Sequence, residues 1–150
     1  MAGTDSDSSF TDRRTELIQR LKTLGFGKSD VPPLVSLEEF FDGNRDYSSI
    51  GRNLTPMLGP QYFYRVLKRI RSRPDVQDVL VEVNEIEVHH PGRWPFSNRV
   101  YFFTTASPEK VADWASELQS GAVEKGFRLG IPGNAPTPGP GVKVYALWWD

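Results

Sequence analysis

Apolar residues recur at helical spacing in four stretches of the chain and at a spacing of two in three later ones, and the order of these patterns sets the expected fold. Leu17, Ile18, Leu21 and Leu24 predict a first helix from about Thr11 to Leu24, loosely docked, with Gly25 in the position that follows a helix end. Val35-Ser36-Leu37-Glu38-Glu39-Phe40 carries the strongest local signal. Ser36 can cap backbone N–H groups while Glu39 reaches back, and Val35 and Phe40 stand where a hydrophobic staple places its two residues. Gly43-Asn44 makes that helix short. A third helix is predicted from Gln61 to Arg73, with Tyr62, Phe63, Val66, Leu67 and Ile70 in one stripe and Pro74 as its stop.

Strands follow. Val79, Val81 and Val83 share one face, after which the phase shifts to Ile86 and Val88, so a β-bulge or bend is expected near Asn84-Glu85. Arg99 to Thr105 is apolar on both faces, the mark of a central strand covered on each side. Ser107-Pro108-Glu109 opens a fourth helix, with Val111, Trp114, Ala115 and Leu118 as its buried stripe. The Gly- and Pro-rich stretch at 126–141 reads as an extended loop, and Val142 to Trp149 as the last strand. The expectation is therefore an α+β fold: a small, mostly antiparallel sheet of about three strands, in the order β-β-α-β, packed against amphipathic helices. The last strand arrives after a helix, which leaves parallel pairing open. Residues 1–9 read as a disordered tail, 10–33 as the N-terminal helix and linker, and 34–150 as a single α+β domain.

Composition narrows the picture without naming a chemistry. A chain of 150 residues is long enough to bury one core. The absence of Cys excludes disulfides, thiolate nucleophiles and thiolate metal sites. No apolar run approaches the roughly 20 residues of a membrane span, and Met1 to Ser9 is polar and acidic, unlike a signal peptide. A cytoplasmic location, with no membrane partner, is the expectation. A net charge of −1 gives no overall attraction for nucleic acid.

Three sets of residues are candidate sites, and each also has a plainer reading. Glu82, Glu85, Glu87, His89 and His90 offer metal-ligating and acid–base types, but adjacent histidines on a strand point to opposite faces. Arg65, Lys68, Arg69, Arg71 and Arg73 could meet phosphates, although the solvated face of an amphipathic helix has the same composition. The loop 43–53 is long and polar, and loops of this kind are often functional. It supplies Asn44, Arg45, Asp46, Tyr47 and Arg52, and Trp94 is a candidate interface aromatic.

The stretches LEEFFDGN (37–44), SIGRNL (49–54), RPDVQDVLVEV (73–83), WPFSNRVYFFTTASPEKVADW (94–114) and VYALWWD (144–150) resemble an uncharacterised family of small bacterial proteins. The resemblance covers roughly residues 34–150 and leaves out the first helix. It implies a bacterial, stand-alone, cytoplasmic domain, and it carries over no catalytic or binding residue. On these grounds the expected function is a non-enzymatic protein-interaction domain, in the manner of an immunity or antitoxin protein, with no cofactor and no metal. A small enzyme or metal-binding protein using Glu82, Glu85, His89 and His90 is the alternative, and nucleic-acid binding through helix 61–73 a second one.

Overall fold

A computed structural model describes residues 2–150, with side chains from Ser8 onward. Among the described residues the elements run α1 (Ala2–Thr23), β1 (Leu34–Ser36), α2 (Leu37–Phe41), α3 (Pro60–Arg71), β2 (Val76–Glu82), β3 (Arg99–Thr104), α4 (Pro108–Trp114), β4 (Glu124–Lys125) and β5 (Lys143–Trp148). Single 3-10 turns occupy Tyr47–Ser49 and Ser116–Leu118. The stretch 2–9, expected as part of a tail, has a helical backbone continuous with α1, and Met1 lies outside the described residues. Ser8 and Ser9 are helical and exposed.

The fold is α+β, with a five-stranded sheet in the order β1-β2-β3-β5-β4. Every ladder is antiparallel, so β5 returns antiparallel to β3 despite the intervening helix. The two strands beyond the expected three are the shortest, β1 and β4, and both lie at sheet edges. Short edge strands limit unwanted pairing with other chains. The phase change after Val83 falls at the expected irregularity: Asn84 and Glu85 both donate their backbone N–H groups to the carbonyl of Phe96, at 2.8 and 3.3 Å, and Phe96 N–H returns to the Glu85 carbonyl at 2.8 Å, so two residues oppose one as in a β-bulge. A further register shift lies at the other end of β2, between Val76 and Asp78.

All six residues of β3 are buried, as the two-sided apolar pattern requires. One sheet face presents Val35, Val79, Val81, Val100, Phe102, Tyr145 and Leu147 to the helices. Phe10, Leu17 and Leu21 bring one face of α1 into this core. The capping box forms at α2: the Ser36 hydroxyl accepts from Glu39 N–H at 3.0 Å and the Glu39 carboxylate accepts from Ser36 N–H at 2.8 Å. Trp149 ties β5 to two helical elements, its ring edge-on to Phe63 at 5.1 Å and its indole N–H donating to the Leu118 carbonyl at 2.7 Å. The other sheet face, around Leu34, Tyr101, Phe103 and Ala146, is covered by Phe127, Ala135 and Val142 from the long loop.

Two tyrosines record how closely the layers fit. Burial, reinforced by a 2.9 Å hydrogen bond to Asp42, pushes the Tyr64 phenol up to about 12. Burial is also the main cause that raises Tyr101. A phenol whose folded pKa exceeds its unfolded value contributes stability that is complete below the unfolded value and lost as the pH rises through the folded one. Urea midpoints measured from pH 9 to 11.5 are therefore expected to fall more steeply for the wild type than for Tyr64→Phe. Identical slopes would show that the phenol does not titrate differently in the folded chain.

Candidate functional site

The loop 43–53 is built on side-chain hydrogen bonds within itself. Buried Asn44 donates to the Ser49 hydroxyl at 2.9 Å and accepts from Asp46 N–H, also at 2.9 Å. One Asp46 carboxylate oxygen accepts from Ser48 N–H at 3.0 Å and from the Ser48 hydroxyl at 2.7 Å, which caps the 3-10 turn. Its other oxygen accepts from the backbone N–H of Trp94 at 2.9 Å, joining the loop to the 87–94 segment. Trp94 itself is buried, with its ring 5.3 Å from that of Phe10. Buried Asn44 and Trp94 thus hold the site together from within, and half-buried Asp46 both caps the turn and lines the opening.

Arg14 of α1 completes the frame. Its guanidinium donates to the carbonyls of Arg93 at 2.6 Å, Glu87 at 2.9 Å and His90 at 3.2 Å, fastening the 87–93 turn to the helix. No sequence pattern singles out Arg14, because these acceptors are backbone atoms more than seventy positions away.

The result is an open depression of about 620 Å³ between the start of α1, the loop and the turn, lined by Phe10, Thr11, Arg45, Asp46, Tyr47, Pro91 and Gly92. Tyr47 is 54% exposed. Its ring lies so close to Gly59 that a Cβ there would sit 2.7 Å from it, and Gly59 also has φ of +87°, so glycine is required twice over. The Arg45 guanidinium lies 5.0 Å from the Phe10 ring centroid. Arg52 stands apart from the depression, stacked 3.6 Å from the Phe96 ring centroid and donating to the Ser48 carbonyl.

The acidic and histidine set does not converge. Glu82 is buried on the sheet face under the long loop, accepting from the Tyr101 hydroxyl at 3.1 Å and the Asn84 amide at 2.8 Å. Buried Arg99 stands beside it and pairs with Glu124 of β4. Glu85, His89 and His90 are exposed on the connection beyond the strand. Among the described residues, no group of three His, Cys, Asp or Glu could hold a metal ion. The Glu82–Arg99 pair was detectable in the sequence: Arg99 shares a strand face with buried Tyr101 and Phe103, and a buried guanidinium needs a carboxylate.

The cations of α3 are engaged within the fold. Arg71 pairs with Glu38 and holds that carboxyl below its ordinary range, and Arg69 pairs with Glu117 at 3.0 Å. Arg73 lies 4.1 Å from the Trp114 ring centroid, Lys68 4.1 Å from that of Tyr64, and Arg65 4.8 Å from that of Tyr62. Among the described residues no helix is long and apolar enough to cross a membrane.

Fold and surface together define a small α+β protein that carries a loop-built depression between the start of α1, the loop 43–53 and the 87–93 turn. The chain belongs to the uncharacterized protein YfbO family, whose model matches residues 12–147. It is 36% identical over 123 residues to the uncharacterized protein YfbO of Escherichia coli (strain K12), covering 81% of this chain and 86% of that protein. The match begins inside α1, so the helix omitted from the earlier resemblance is part of the family's domain. No solved structure matches.

Replacing Arg14 by Ala removes the three carbonyl contacts, two of them exposed, while the Glu87 and His90 carbonyls keep their turn bonds from His90 and Arg93 N–H. The expected cost is about 1 kcal/mol in urea unfolding, with amide shifts changed throughout 87–93. An unchanged midpoint would show that the turn holds itself.

Proposed function

We propose that this protein is a non-enzymatic binding domain that recognises a protein partner in the cytoplasm through the depression bounded by Arg45, Tyr47 and Pro91. An immunity- or antitoxin-like role, in which a small domain caps a larger partner, is the form of this reading that suits a domain of this size. The observation that carries it is the division of labour within the loop. Asn44 and Asp46 spend their polar atoms on the scaffold, while Tyr47, its ring more than half exposed, lines the opening that the scaffold shapes. Tyr and Arg are the side-chain types that dominate binding energy at protein interfaces. A loop already fixed by its own hydrogen bonds loses little further entropy on association.

The test is affinity capture from the native host with the immobilised full chain. Wild type is compared with Arg45→Glu/Tyr47→Ala and with Arg65→Glu on the exposed side of α3. Asp46 is left intact, because its removal would uncap the turn. The expected outcome is a specific protein retained by wild type and Arg65→Glu and lost from the double variant, with thermal unfolding equal in all three. Equal recovery on the double variant would place recognition elsewhere.

A further inference from the structure

The two faces of the sheet are covered in different ways. Helices α1 to α4 pack on one. The other depends on the chain between β4 and β5, which spans 126–142 without regular structure and lays Phe127, Ala135 and Val142 over Tyr101, Phe103, Leu34 and Ala146. The Phe127 ring sits 4.9 Å from that of Tyr101 and 6.1 Å from that of Phe103.

Two side-chain amides fasten this segment, and each does so bidentately. Asn134 accepts from Leu34 N–H at 3.2 Å and donates to the Leu34 carbonyl at 2.7 Å, occupying the outer edge of β1 as a neighbouring strand would. Gln77, at the bulge of β2, accepts from Gly139 N–H at 2.8 Å and donates to the Thr137 carbonyl at 3.1 Å. Both amide side chains belong to exposed residues. At the ends of the segment stand Gly126 and Gly141, with φ of +80° and +73°. Both lie in the left-handed region, which glycine adopts without the steric penalty other residues meet, so a change of backbone angle there meets little steric resistance.

We propose that 126–142 is a latched strap: it opens as one unit about Gly126 and Gly141, uncovering the apolar sheet face and the outer edge of β1, while the helix-covered face stays intact. Its cover rests on few apolar side chains and on hydrogen bonds that are exposed at Gln77 and only partly buried at Asn134, the features of a segment with low local stability. The strap when closed keeps the edge of β1 from pairing with another chain.

Amide hydrogen exchange, resolved residue by residue, tests the cooperativity. Leu34 N–H reports on the Asn134 latch and Gly139 N–H on the Gln77 latch, with Tyr101 and Phe102 in β3 reporting global unfolding. Asn134→Ala is expected to speed exchange at Gly139, and Gln77→Ala at Leu34, each by about five- to tenfold, from the loss of two partly exposed hydrogen bonds. The β3 amides keep their rates. The proposal is overturned if the remote amide is unchanged in either variant, because coupling through a single opening is reciprocal. It is equally overturned if the β3 amides accelerate by the same factor, which makes the event global unfolding.

Discussion

A strand buried on both sides along its whole length commits the rest of the chain to covering two faces, and β3 imposes that commitment here. Its inward and outward residues, Val100 and Phe102 on one side and Tyr101 and Phe103 on the other, are all removed from water. Burying an aromatic or large aliphatic side chain is worth about 1.5–3 kcal/mol each, so neither face can be left open. The amphipathic stripes of α1, α2 and α3 meet the first demand. They satisfy it with side chains at helical spacing, which is why those elements read clearly from the sequence. The second demand is met by a segment rich in Gly and Pro, whose apolar residues have no periodicity to announce them.

That difference explains what was legible. Capping chemistry at Ser36 and Ser107, the stripe of α3 and the two-sided apolar run of β3 are local signals, and the structure contains each. The edge strands were not legible because their identity is tertiary. β1 is three residues whose Leu34 and Val35 gain strand geometry from pairing with β2, and β4 is two exposed residues that pair with β5. The change of hydrophobic phase after Val83 is a local signal too, and the shared bonds of Asn84 and Glu85 to Phe96 are its structural counterpart. The register shift between Val76 and Asp78 has no such change of phase to announce it.

The candidate site was legible as a location and less so as a set of roles. Loop length and composition pointed to 43–53. In the folded chain its polar residues divide between holding the loop and facing outward. Asp46 followed by Ser48 is a local capping pattern and could have been read as such. The inward turn of Trp94 and the reach of Arg14 depend on residues brought together from distant parts of the chain. The buried Glu82 and Arg99 likewise belong to the sheet's covered face, where a charge needs its counter-charge close by.

The whole arrangement requires β5, which lies between β3 and β4 and sends Tyr145 and Leu147 into one core and Ala146 into the other. The most direct measurement is urea unfolding, followed by circular dichroism, of a chain ending at Val144. The account predicts that this chain shows no cooperative transition, since both covers lose the surface they pack on. A cooperative transition with a midpoint near that of the full chain would contradict it.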